Sequence, residues 1–244
     1  TNFETMDVRN ISLPVNPTMT AKDSEGNEVV VGNDVTSDKA VREALSIGIN
    51  RQEIIDNAFN GVGKPAVNFT DNLVWASTET YEDGRVDEAI KLLEDAGWED
   101  SDNDGIRAKN LGIDIQVKTA TWDEVTTLQN TAGIVWGWGQ YSPTVLYSLF
   151  KSDLFLTGGY DNVVGYKNDV VDQKIDEALA ANNQEDAIAA WKEVQKIADA
   201  DYPELYLHCF FINDNLDISM DTQIPHPHGH GSPIVCNMKD WKYK

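Results

Sequence analysis

Ala132-Gly133-Ile134-Val135-Trp136-Gly137-Trp138-Gly139-Gln140-Tyr141-Ser142-Pro143 decides the fold class. The residues from Ala132 to Trp136 form an apolar run and are expected as a buried strand. After the proline, Thr144-Val145-Leu146-Tyr147 reads as the start of a helix. A buried strand that passes through a glycine-rich turn into a helix is an α/β signature. Strand ends of open α/β sheets are also where ligands usually bind. Glycines let backbone approach a ligand closely, and indole and phenol rings add rigid contact area with polar tips. Trp136 and Trp138 stand two apart, so on a strand they share a face. Either they line a site or they fill a core, and the segment alone leaves both readings open.

Outward from this segment, helical and extended patterns alternate. Residues 7–15 and 28–31 read as extended, with Gly26-Asn27 as the turn between them. Val41, Ala44, Leu45 and Gly48 fall at helical spacing, with Thr36 or Ser37 as the expected N-cap. Asn50 is expected to cap a second helix, with Glu53 three residues on as a capping box requires, and Gly61 and Gly63 end it. A third helical face is Val86, Ala89, Ile90, Leu93 and Ala96, stopped by Gly97. Two more helices are expected near 170–181 and 185–199. Ile113, Ile115 and Val117 alternate with polar residues, as in a half-buried strand, and an apolar strand runs from Leu205 to Ile212. The expected fold is α/β, with a mixed sheet of strands near 113–119, 132–137 and 205–212 flanked by helices.

Composition narrows the function class. Forty-one acidic residues against 19 basic give the 244-residue chain a net charge of -22. That charge repels nucleic acid and anionic lipid, both polyanions. No apolar run reaches the length of a membrane span, and Thr1 opens on polar sequence without a leader pattern. Cys209 lies in an apolar run and Cys236 in another, and two cysteines do not make a disulfide framework.

Two further clusters could hold metal. Asp100-Ser101-Asp102-Asn103-Asp104-Gly105 copies the first half of a calcium loop, but Leu111 stands where the closing Glu would be. An acid-rich turn is the better reading. His226, His228 and His230 alternate within five residues and hold three of the four histidines, and imidazole suits nickel, zinc or copper. The alternative there is a Pro/Gly turn with incidental histidines. No nucleophile elbow, phosphate loop or zinc-protease motif is present.

The segments VREALSIGINRQEIIDNAFNGVGKPA (Val41–Ala66), RVDEAIKLLEDAGW (Arg85–Trp98), IVWGWGQYSP (Ile134–Pro143) and YPELYLHCFF (Tyr202–Phe211) occur in one order. Together they resemble family 5 extracytoplasmic solute-binding proteins, the peptide- and nickel-binding components of ABC importers. The resemblance implies a periplasmic-binding-protein-like lobe of type II and no catalysis. Residues 1–35 would be lead-in strands from the hinge side, 36–212 the C-terminal ligand-binding lobe, and 213–244 a tail returning toward an N-terminal lobe. It also implies that Trp136, Trp138, Tyr141, Ser142 and Tyr147 face the ligand. Many peptide-binding members carry Asp where Ser142 stands, and a hydroxyl does not neutralise an ammonium. The expected partners are a small peptide or related solute and a membrane permease. The protein would act as a monomer outside the cytoplasm, held as a lipoprotein through an N-terminus not in this sequence. No cofactor is required, and nickel would be a ligand. The rival class is a metal-dependent hydrolase that activates water at His226, His228 and His230.

Overall fold

The computed structural model describes residues 2–71, 73–77, 82–100, 119–128, 130–139, 142–213, 220–221 and 242–243. The chain begins with β1 (Asn2–Ser12), then β2 (Met19–Lys22) and β3 (Glu28–Val31). Helices α1 (Lys39–Gly48) and α2 (Arg51–Phe59), the short β4 (Lys64–Pro65) and α3 (Val86–Asp95) follow. Next come α4 (Trp122–Leu128), β5 (Ile134–Trp138) and α5 (Thr144–Phe150). The long helices α6 (Asp169–Ala180) and α7 (Gln184–Asp199) lead into β6 (Glu204–Asn213). A small pair, β7 (Met220–Asp221) and β8 (Lys242–Tyr243), completes the described chain.

The main sheet has the order β4-β6-β1-β5, and every pairing in it is antiparallel. The expected α/β fold with a helix-flanked sheet is therefore present. Parallel pairing, which a mixed sheet needs, is not found among the described strands, because β1 runs opposite to both β5 and β6. The strand expected near 113–119 lies outside the described residues. Residues 28–31 do not pair with 7–15 across Gly26-Asn27. They pair with β2, and the Asp23 carboxylate closes that hairpin by accepting from the amides of Glu25 (2.9 Å) and Asn27 (2.8 Å). Residues 7–12 instead take the centre of the main sheet, where Val8 is fully buried.

Register separates the two sheet faces. Val8, Asn10 and Ser12 of β1 stand beside Trp138, Trp136 and Ile134 on one side, and beside Cys209, Tyr206 and Glu204 on the other. A register shift in β6 between the partners of Arg9 and Asn10 leaves Leu207 as the extra residue. This face carries the main core, closed by Leu146, Leu149 and Phe150 of α5, Ile175 of α6 and Trp191 and Val194 of α7. On the opposite face, Arg9 and His208 lie side by side, and the Phe59 ring of α2 packs 4.2 Å from that of His208.

Local chemistry sets the helix ends. Asn50 accepts from the Glu53 amide at 3.0 Å, as expected, and Asn60 ends α2 in the left-handed region. The cap of α1 is Asp38, neither Thr36 nor Ser37: its carboxylate accepts from the Ala40 amide at 3.0 Å. Thr36 is unsuited because its hydroxyl donates to the Pro14 carbonyl at 2.7 Å. Asn168 and Asn183 cap α6 and α7.

Two buried arginines tie the helices to the sheet. Arg51 donates from Nε to the Tyr206 carbonyl at 2.7 Å and pairs with Asp83. Arg42 donates to the carbonyls of Thr36, Ser37, Asp201 and Tyr202. Burial lowers the pKa of Arg42, while the charges of Asp201 and Asp38 oppose that shift.

Candidate functional site

The C-terminal end of β5 holds the site. Alternation along the strand aims Trp136 and Trp138 to the main-core face and Val135 and Gly137 to the other. Arg9 is the partner of Gly137 on β1, and its guanidinium fills the space that a Cβ at 137 would take, so a side chain there would have to push Arg9 aside.

The two tryptophans differ in burial. Trp136 is 7 % exposed, inside the core, and its indole Nε1 donates to the Ser12 hydroxyl at 2.7 Å. Trp138 is half-buried and meets Trp136 edge to face, with ring centroids 5.7 Å apart. Two further rings, which the sequence reading missed, complete the cluster. Trp122, at the first turn of α4, and Tyr160 pack 6.5 and 6.1 Å from Trp136. They also touch each other, with centroids 5.6 Å apart, and the Trp122 indole donates to the Tyr160 hydroxyl at 3.1 Å. Both are exposed, at 54 and 41 %. Trp136 is thus the floor of an aromatic wall, with Trp122, Trp138 and Tyr160 above it.

One local signal for Trp122 was available. Thr121-Trp122-Asp123-Glu124 is a capping box, with the Glu124 carboxylate accepting from the Thr121 amide and hydroxyl, each at 2.8 Å. It places Trp122 at a helix start, where its ring can lie on a neighbouring strand. Tyr160 has no such signal, since it reaches the wall from a loop.

The remaining expected site residues fall in three places. Ser142 is exposed, and its Oγ accepts from the amide and hydroxyl of Thr144, at 3.3 and 2.8 Å, at the start of α5. Tyr147 is half-buried on α5 and packs against the main core. Tyr141 lies outside the described residues, as do His226, His228 and His230, Cys236 and the 101–105 part of the acidic turn. Among the described residues, no group of three His, Cys, Asp or Glu side chains could hold a metal ion. Among them, too, no helix is long and apolar enough to cross a membrane.

Beneath the wall is a buried polar chain. The Ser12 hydroxyl donates to Glu204 Oε2 at 2.6 Å, and Asn10 Nδ2 donates to the same oxygen at 2.7 Å. Loss of water around Glu204 pushes its pKa up to about 8, against the lowering effect of these two bonds, and the charge of Asp199 adds to the rise. On the opposite face, burial lowers the pKa of His208, helped by the charge of Arg9.

The chain is similar to several known proteins. Residues 4–111 match the model of bacterial extracellular solute-binding proteins, family 5 middle region. Protein XP55 of Streptomyces lividans is 26 % identical over 226 residues, covering 78 % of this chain and 41 % of its own. Oligopeptide-binding protein AppA of Bacillus subtilis is 23 % identical over 216 residues, covering 72 and 39 %. The chain therefore spans about two fifths of the length of these relatives. The structure of AppA in complex with a nonapeptide superposes with a TM-score of 0.71 at 18 % identity, covering 100 % of this chain and 52 % of AppA. NikZ of Campylobacter jejuni, in complex with Ni(L-His), gives 0.71 at 16 % identity, covering 100 and 53 %. These likenesses give no support to the metal-dependent hydrolase. Residues 4–111 resemble the family 5 extracellular solute-binding proteins, and the described chain shares the fold of AppA and NikZ.

Proposed function

We propose that this chain is the C-terminal ligand-binding lobe of an ABC importer's solute-binding component, which captures a small peptide outside the membrane and hands it to a permease. The observation that carries this reading is the aromatic wall at the end of β5, with Trp122 and Tyr160 exposed over a buried Trp136. Rigid rings with polar tips bind extended peptides at low cost in conformational entropy. The peptide- and nickel-bound neighbours supply the alternatives, and a peptide is preferred over a nickel chelate because the described wall is aromatic. In the nickel alternative, His226, His228 and His230 would hold the metal. In this reading no reaction is catalysed, the protein works as a monomer, and a lipid anchor outside this sequence holds it at the membrane.

Closure of a second lobe over the wall would complete the site. Calorimetry with tri-alanine and tri-lysine is the direct test, on this chain and on the two-lobed protein. Tight binding is expected of the two-lobed protein and weak binding of this chain alone, which lacks half the contacts. Equal affinity would place the whole site in this lobe, and no peptide binding by either would remove the peptide reading. Trp138→Ala in the two-lobed protein should weaken peptide binding by about 1–4 kcal/mol, the range of aromatic anchors. Its melting temperature should change far less than that of Trp136→Ala.

A further inference from the structure

Glu204 is 3 % exposed, at the first residue of β6, beneath the aromatic wall. It is joined to the wall by consecutive hydrogen bonds: Trp136 Nε1 to Ser12 Oγ at 2.7 Å, then Ser12 Oγ to Glu204 Oε2 at 2.6 Å. Donor and acceptor roles are fixed along this path. The indole can only donate, so Ser12 Oγ accepts from it, and also from Asn10 Nδ2 at 3.2 Å. The serine proton is then directed to Glu204 Oε2, which accepts from Asn10 Nδ2 as well. A proton carried by Glu204 therefore belongs on Oε1, which has no hydrogen-bond partner among the described residues.

We propose that Glu204 is a positioning residue for the aromatic wall: its neutral carboxyl group, acting through Ser12, sets the Trp136 indole, and loss of its proton shifts the rings packed on that indole.

The surroundings make the two protonation states structurally different. Ionisation puts a full charge where, among the described residues, Ser12 and Asn10 are the side chains that donate. Asp199, at the end of α7, holds the Tyr206 hydroxyl at 2.7 Å, and its charge acts on Glu204 repulsively. Arg9 neighbours Asn10 in β1 but points to the other sheet face, toward Gly137 and Asp7. A buried carboxylate without a cation draws in every available donor. Ser12 and Asn10 must then turn further toward Glu204, and the indole loses the geometry of its acceptor. Trp138, Trp122 and Tyr160 all pack on that indole, so the change reaches the exposed surface.

The meaning for ligand capture rests on the wall being the ligand surface, but the test needs no ligand. Circular dichroism in the near ultraviolet reports the mutual orientation of the tryptophans and is read from about pH 6 to about pH 9, below ordinary tyrosine ionisation. Wild type should show a transition in its tryptophan bands with a midpoint near 8, while the far-ultraviolet signal stays constant. Glu204→Gln, a permanently neutral isostere, and Ser12→Ala, which cuts the link, should each abolish it. A flat wild-type signal overturns the proposal. So does a transition that survives in a folded Glu204→Gln or in Ser12→Ala, or one that coincides with unfolding. If Glu204→Gln fails to fold, Ser12→Ala decides by the same signal. Failure of peptide binding leaves this transition standing, and its absence leaves the peptide reading standing.

Discussion

Trp136 and Trp138 carry the same side chain two residues apart, yet their environments assign them different work. Trp136 is closed over by core residues and bonded to Ser12, whereas Trp138 is half-buried at the mouth of the wall. Trp136→Ala should therefore destabilise the fold by about 3–5 kcal/mol, as buried large-to-small changes do, measured by urea unfolding. The same substitution at Trp138 should act mainly on ligand affinity. Spacing in the sequence was enough to place both rings on one face. It could not say which one was floor and which was wall. That depends on Trp122 from 14 residues before and Tyr160 from 24 after, and on a serine in β1. Tyr160→Phe removes only the acceptor for the Trp122 indole. The expected result is a small stability change and weaker peptide binding, because Trp122 loses its fixed orientation.

Caps and turns were the most legible elements, because their signals are local. Asn50 was readable as a cap, and Asn50→Ala should cost about 0.5–2 kcal/mol in thermal or urea unfolding. The cap of α1 was misplaced by a residue or two because three candidates, Thr36, Ser37 and Asp38, stand in a row, and the Thr36 hydroxyl is engaged with the distant Pro14 carbonyl. Strand partners were the least legible. The pattern of residues 7–12 shows that they are extended but not that they pair with 134–138 and 204–208. The β2–β3 hairpin depends on Gly32, whose φ is +86°. A Cβ at Gly32 would overlap the Pro17 carbonyl oxygen. Gly32→Ala combines that overlap with the left-handed penalty, itself about 1–2 kcal/mol, so a larger loss of stability is expected. A denaturation midpoint unchanged from wild type would show that the hairpin relaxes freely.

For the molecule as a whole, two buried groups on opposite sheet faces give stability two opposed pH dependences. Glu204 keeps its proton to about 8 in the folded chain, whereas the unfolded chain releases it near the ordinary value of 4.5. Between those values the folded state binds more protons, so stability falls as pH rises. His208 behaves oppositely: its lowered pKa keeps it neutral when folded, and stability falls as pH drops through the ordinary value of 6.5. Urea midpoints across this range should show Glu204→Gln flattening the decline with rising pH and His208→Phe, which keeps a ring against Phe59, flattening the decline with falling pH. The central place of β1 has a consequence in time. Its partners in the sheet lie some 130 and 200 residues further along the chain. Such distant closures slow folding, and synthesis from the N-terminus leaves β1 waiting for both. A ribosome-bound chain that stops before residue 204 should remain open to protease, and the lobe should gain its resistance only once β6 has emerged.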